Sequence, residues 1–278
     1  DLHILVNNAG FTRDATIFNI GEEEFDSVVR VHLKGHFAPS KFACIHWREQ
    51  AKASGKPVYG RLLSTASEAF LFGNPGQPNY AAAKAGITAF TMGIAQLMQK
   101  YGVTANVVMP RARTRMTMQG PNLAIFKQPE SGFDTFAPEH VLSLFAWLCT
   151  PRATRVSGQL FIVWGREIKV IGRPEPKQVF HTDDAWTVDS VVRVHLKGHF
   201  APSKFACIHW RERAKSGRPV YGRLLSTASE AFLFGNPGQP NYAAAKAGIT
   251  AFTMGIAQLM QKYGVTANVV MPRARTRM

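Results

Sequence analysis

The alternation of apolar and polar positions divides this 278-residue chain into short strands and longer helices. "LHILVNN" at 2–8 is a compact apolar run closed by Asn, a pattern that predicts a buried parallel strand. From 22 to 54 the spacing turns helical, opens on three glutamates as a helix N-terminus favours, and meets Pro39, where a bend or break is expected. "GRLLSTAS" at 60–67 predicts a strand entering a loop, and 79–102 a long Ala-rich helix stopped by Gly102. "VTANVVMP" predicts a strand ended by Pro110. "PEHVLSLFAWLCT" follows as a short amphipathic helix, and "GQLFIVWG" as a last buried strand. Strands that alternate with helices predict an α/β fold with a parallel sheet and right-handed crossovers.

The pattern then starts again. Residues 26–49 return unchanged at 189–212, and residues 57–116 return unchanged at 219–278. The unit is too long, and repeated too few times, for a solenoid. The expected organisation is one longer unit, 1–188, followed by a partial near-identical repeat, 189–278. Either recombination between neighbouring genes or a misassembled gene model accounts for the abrupt join at Asp189. The long helix also carries too many apolar and small residues for one core-facing stripe: Ala81, Ala85, Ile87, Phe90, Met92, Ile94 and Leu97. Such a helix needs a second partner, and its own copy is the nearest one available. The helices at 38–54 and 79–101 are therefore expected to face their counterparts at 201–216 and 241–263.

Charge changes this picture little. The net charge is +15, but residues 26–116 hold 12 Lys and Arg against 3 Asp and Glu, and residues 189–278 hold 13 against 3. The excess is one modestly basic segment counted twice, with no basic run, so nucleic acid is not an expected partner. No apolar run reaches the ~18 residues of a membrane span. No secretory leader pattern opens the chain. Cys44, Cys149 and Cys207 give no disulfide framework, and Cys44 with His46 lacks further ligands for a metal. A reducing, cytoplasmic setting is the expectation.

The candidate chemistry lies in "NYAAAK". Tyr80 and Lys84 stand four apart, hence on one face of a helix. An ammonium beside a phenol is expected to lower its pKa, so that the pair exchanges a proton with a carbonyl or an alcohol. Ser67, at the end of the preceding strand, is placed to hold the substrate oxygen.

The surrounding sequence resembles the short-chain dehydrogenase/reductase family. "LVNNAG" at 5–10, "STASEAFLFGNPGQPNYAAAKAG" and "YGVTANVVMPRARTRM" are similar to three of its motifs, in the family's order. "VHLKG" and the segment from Pro138 to Gly165 resemble the family's hydroxyacyl-CoA dehydrogenase-like members. The resemblance implies a Rossmann-like parallel sheet with flanking helices. It also implies NAD or NADP as cofactor, and hydride transfer to or from a carbonyl or secondary alcohol, with a 3-hydroxyacyl thioester as the substrate class. By the same resemblance Ser67, Tyr80 and Lys84 are catalytic. Asn8, Ala9, Gly10, Tyr80, Lys84, Pro110 and Thr114 line the cofactor. The counterparts Ser229, Tyr242, Lys246 and His195 are expected to be inactive, because only the first copy has "NNAG" before it and residues 117–175 after it.

Three positions depart from the family pattern. His32 stands where an asparagine is usual; it either holds a proton-relaying water near Lys84 or packs the helix. Arg111 follows Pro110 where glycine is usual, and its side chain is expected to crowd the nicotinamide. The sequence holds no Gly-rich strand–turn–helix for a pyrophosphate. The first strands of the sheet are missing with it, which leaves an incomplete Rossmann-like sheet, plus the partial copy. A catalytically inactive association module is the alternative reading.

Overall fold

The computed structural model describes residues 1–118, 124–173, 200–234 and 240–272. Its main sheet has five strands in the order β1 (Ile4–Asn7), β2 (Gly60–Thr65), β3 (Val103–Pro110), β4 (Leu160–Trp164) and β5 (Glu167–Ile171). The first four run parallel and β5 returns antiparallel beside β4. A parallel strand does form there, over Ile4–Asn7, but among the described residues β1 is paired only to β2, and Ile4 and Val6 are exposed. The expected burial fails there because, among the described residues, β1 has a neighbour on one side only. A fifth strand was not expected. "WGREIKV" turns tightly at Gly165–Arg166, and Glu167–Ile171 then alternates polar with apolar along an exposed edge.

Helix α1 (Glu22–Val29) runs through a π-helical turn, Arg30–Lys34, directly into α2 (Gly35–Ser54). Pro39 sits inside α2 without breaking it, contrary to the expectation. The irregularity lies in the wide turn just upstream, which carries the buried His32. α2 is tied to β1 where the Trp47 indole donates to Leu2 O at 2.7 Å and the Asn7 amide to Ser40 Oγ at 2.8 Å. A short α3 (Ala69–Phe72) precedes α4 (Pro78–Met98), and α5 (Glu139–Leu148) covers the other side of the sheet. The core follows these layers: Trp47, Leu62, Phe90, Ile94 and Met98 on one side, and Leu63, Val108, Leu148 and Phe161 on the other.

The repeat builds α6 (Phe200–Lys215), β6 (Gly222–Thr227), α7 (Ala231–Phe234), α8 (Pro240–Met260) and β7 (Val265–Val270). β6 and β7 pair parallel as a separate two-stranded sheet. Helices α4 and α8 pack antiparallel through small residues. A Cβ at Gly86 would lie 3.2 Å from Ala244 O, and a Cβ at Gly248 would lie 3.1 Å from Ala82 O. Gly86 and Gly248 are the same repeat position, as are Ala82 and Ala244, so the contact is reciprocal. Ala81, Ala85 and Ala89 meet Ala243, Ala247 and Ala251 along the same seam. Helix α6 takes its main packing from elsewhere than α2. Cys207 lies against Ile17 and Ile20 of the first copy, and Lys204 donates to Ile20 O at 2.6 Å.

Candidate active site

The C-terminal ends of β1, β2 and β3, together with α3 and the start of α4, surround a cleft of about 890 Å3. Crevices at this end of a parallel sheet are where such folds bind ligands. Asn8, Gly10, His32, Ser67, Tyr80, Lys84, Pro110 and Thr114 all line it. Ala9 is exposed and is not among the lining residues.

Asn79 sets the start of α4. Its side-chain amide donates to Arg13 O and Glu24 O, both at 3.1 Å, while its Oδ1 accepts from the Tyr80 amide at 2.8 Å. This anchors the first turn of the helix that carries both Tyr80 and Lys84. The Lys84 ammonium, one turn on, donates to Thr65 O at the end of β2 at 2.6 Å and lies 5.5 Å from the centre of the Tyr80 ring. Ser67 follows β2 by two residues; it hydrogen-bonds the Tyr80 hydroxyl, and its Oγ accepts from Ala69 N at 3.2 Å.

Electrostatics overturn one expectation. Burial, not the neighbouring ammonium, dominates Tyr80: desolvation pushes the phenol up to about 12, opposed by the Ser67 hydrogen bond. Burial also lowers Lys84 to about 7. Both groups are almost wholly enclosed, so whichever form is charged is disfavoured.

His32 is fully buried and stands edge-on to Tyr80, with ring centres 5.2 Å apart. Its Nε2 lies 2.7 Å from Phe11 O and 3.1 Å from Phe11 N. Nδ1 is buried with no hydrogen-bond partner among the described residues. Burial, then Lys84, lowers its pKa to about 4. The ring also explains Gly10, since a Cβ there would run into His32 Cε1. His36, one turn further along, is buried and lowered to about 4 for the same two reasons.

Arg111 lines the cleft, with its guanidinium held by two partners. Its guanidinium forms a two-pronged ion pair with Glu68, one bond 2.6 Å long, and stacks on Trp164 at 4.2 Å. Glu68, Trp164, Phe72 and Gln258 were not found from the sequence. Gln258 comes from α8, and no motif marks it. The two arginine-pairing groups are 43 and 53 positions away from Arg111, too far for any local spacing to reveal.

The repeat keeps the local pattern. Lys246 donates to Thr227 O at 3.0 Å and lies 5.6 Å from the Tyr242 ring centre, and Ser229 Oγ accepts from Ala231 N at 3.3 Å. All three are only half-buried. His195 falls outside the described residues.

The residues fit one half of a nicotinamide dinucleotide. Lys84, Tyr80 and Thr114 bring an amine and two hydroxyls into one cleft, suited to a ribose and a carboxamide, whereas no Gly-rich turn occurs in the sequence to hold a pyrophosphate.

The sequence profile described as short chain dehydrogenase matches residues 1–122 and again 168–277. The chain is 46% identical over 202 residues to the hydroxyacyl-CoA dehydrogenase ChsB1 of Mycobacterium tuberculosis, covering 72% of this chain and 63% of that protein. It is 34% identical over 196 residues to the peroxisomal hydratase-dehydrogenase-epimerase of Neurospora crassa, covering 69% of this chain and 20% of that one. A crystal structure of a short chain dehydrogenase from Mycobacterium avium superposes with a TM-score of 0.59 at 44% identity, covering 67% of this chain and 60% of that one. The chain thus spans less than two thirds of the length of these relatives. With matches on both of its copies, the chain belongs to the short-chain dehydrogenase family.

Proposed function

We propose that the first copy is an oxidoreductase unit that moves hydride between a nicotinamide cofactor and a carbonyl or secondary alcohol, with a 3-hydroxyacyl thioester as the substrate class. The observation that carries this reading is the meeting of Ser67, Tyr80 and Lys84 in one cleft, with the Tyr80 hydroxyl hydrogen-bonded to Ser67. The thioester is suggested by the relatives named for hydroxyacyl-CoA and 3-oxoacyl substrates, and by apolar residues Phe72, Pro75, Met116 and Phe126 along the cleft. The inactive-module alternative is disfavoured by the same meeting of residues.

Bound NAD or NADP would give or take the hydride. Ser67 would hold the substrate oxygen. Tyr80, a protonated phenol at neutral pH, would give its proton to a carbonyl oxygen in reduction or receive one from an alcohol in oxidation. Lys84 loses its own proton near pH 7, so it can return one to Tyr80 through a short relay. His32 lines the same cleft edge-on to Tyr80, and would take part in such a relay. Residues 189–278 would act as a tethered partner that covers α4, with Tyr242 and Lys246 idle. A cytoplasmic location stays the expectation for such a unit; among the described residues no helix is long and apolar enough to cross a membrane.

The test uses the recombinant chain with a 3-ketoacyl thioester and reduced nicotinamide cofactor. Oxidation of the cofactor that needs the thioester supports the reading. Its absence, together with no cofactor binding by calorimetry, overturns it for this chain.

A further inference from the structure

The cleft of the first copy is not built from the first copy alone. Gln258, on α8 of the repeat, is among its lining residues. The Gln258 side-chain amide donates to Phe72 O, at the last residue of α3. The next residue, Gly73, is held at φ 65°, a conformation that favours glycine. A Cβ on Gly73 would lie 2.5 Å from Gly255 N and 2.8 Å from Met254 Cβ, so α8 is pressed directly against the turn. From the other side, Gly255 faces Gly73 O and Asn74 O, each 3.5 Å from its would-be Cβ. Three successive features of one loop thus meet one stretch of α8.

That loop is the outer wall of the cleft. Phe72, Gly73, Asn74, Pro75 and Gln77 all line it, and Phe72 is 64% exposed. Within the first copy the loop has its own tethers: Asn74 Nδ2 donates to Gln77 Oε1 at 3.0 Å, and Gln77 Nε2 donates to Asp14 Oδ2 at 2.8 Å. Neither reaches the exposed α3 end. The only described hydrogen bond from outside the loop to that end is the one from Gln258.

We propose that Gln258 is a positioning residue for the active-site cleft: α8 of the repeat clamps the Phe72–Gly73 turn, fixing the wall against which the acyl part of a thioester lies. Gln258 acts through Phe72 and does not touch the reacting atoms. The repeat therefore has a role in the first copy's substrate selection, although its own Tyr242 and Lys246 stay idle. The proposal rests on the thioester reading for its ligand, but the clamp itself does not.

Two substitutions isolate the donor. Gln258→Glu keeps size and removes the N–H, whereas Gln258→Lys keeps reach and a donor. Amide hydrogen exchange of residues 69–77 reads the clamp without any turnover. Gln258→Glu is expected to speed exchange there by about 5-fold, the loss of one hydrogen bond, with α4 and β2 unaffected, and Gln258→Lys to recover most of the protection. With a long-chain 3-ketoacyl thioester, Gln258→Glu is expected to raise KM by about 3- to 10-fold with kcat nearly constant, and to do less with a short-chain thioester. Equal exchange in wild type and Gln258→Glu overturns the clamp. A normal exchange response with KM unchanged for long and short chains overturns the role in substrate selection. If wild type shows no turnover at all, the thioester reading fails, and the exchange experiment still decides the clamp.

Discussion

Strands β2 and β6 share the sequence "GRLLST", yet every residue of β2 is buried, whereas those of β6 alternate between buried and open. β2 lies between β1 and β3 with helices on both faces; among the described residues β6 pairs with β7 alone. Local geometry survives this difference. Ser64 and Thr91 are bonded at 2.9 Å, and Ser226 and Thr253 at 2.6 Å. Each lysine finds the carbonyl at the end of its own strand. Burial does not survive: Lys84 is 2% exposed, and Lys246 is half-open. The sequence of the unit therefore sets where the Ser, Tyr and Lys side chains point. The flanking strands and α5, which only the first copy has, set the low-polarity surroundings that shift their proton affinities.

The largest effect that tests this contrast is catalytic. Tyr80→Phe removes the only buried phenol of the cleft and is expected to lower turnover by about 10²- to 10⁴-fold, while Tyr242→Phe changes it less than about 2-fold. Steady-state rates with a 3-ketoacyl thioester measure both. Equal losses from the two variants would place chemistry in both copies and end the idea that only the enclosed one works.

Packing gives the next effect. Leu63 is buried against Val108, Leu148 and Phe161, whereas its counterpart Leu225 is half-buried, with no equivalent of α5 or β4 among the described residues. Leu63→Ala is expected to cost about 2–5 kcal/mol of stability, and Leu225→Ala about 1 kcal/mol, by denaturant unfolding. Similar values would mean that the repeat is packed as tightly as the first copy.

Proton linkage follows. In the folded chain Lys84 titrates near 7, against 10.5 for an ordinary lysine. Between those values the unfolded chain binds the extra proton, so stability rises with pH; the penalty is fully present below about 7 and gone above about 10.5. Lys84→Met is expected to abolish turnover yet to stabilise the chain by about 2 kcal/mol near neutral pH and by less in alkali. Lys246→Met should shift the unfolding midpoint little at either pH. His32 and His36, lowered from 6.5 to about 4, add a second window: stability falls as pH drops from 6.5 toward 4, because the unfolded chain takes up protons first. The groups that face this pair are Lys84, the Tyr80 ring, and the backbone of Phe11 and Asn7. His36→Leu is expected to flatten the stability curve in that window by about one proton.

Much of this was legible in the sequence. The period of apolar positions reveals the strand–helix alternation, and the order of "NNAG", Ser67, "NYAAAK" and "VVMP" places three parts of the site at strand ends and one at the start of a helix, where the fold gathers them. The excess of small and apolar residues on α4 signals its second partner, met at Gly86 and Gly248. Other features were illegible for physical reasons. The exposure of β1 depends on what stands beside it, not on its own apolar residues. The wide π turn at Arg30–Lys34 has no residue signature, so the bend was assigned to Pro39. The phenol of Tyr80 was read from its spacing to Lys84, but burial, a property of the whole packing, decides its proton affinity. Gln258 reaches the cleft through contact between the copies, 186 positions from Phe72, and no local pattern encodes such a distance.

The smallest effect concerns Arg111. Seen in the sequence, an arginine after Pro110 should crowd the nicotinamide side of the cleft. In the structure it lines the cleft but is held there by Glu68, beside Ser67, and by the face of Trp164 on β4. Trp164 has no counterpart in the repeat, so this restraint too belongs to the flanking strands of the first copy. The ion pair is partly exposed, with the Arg111 side chain 37% and the Glu68 side chain 19% accessible, so solvent screens it. Arg111→Gly is therefore expected to lower stability by only about 1 kcal/mol. If the guanidinium lay in the nicotinamide space, its removal would tighten cofactor binding by tenfold or so, the gain from about 1.4 kcal/mol of relieved contact. With the guanidinium fixed on Glu68 and Trp164, the expected change in NADH or NADPH affinity by calorimetry is below about 2-fold. A tenfold gain would show that the Glu68–Trp164 restraint gives way, and that the sequence-based expectation of crowding was right.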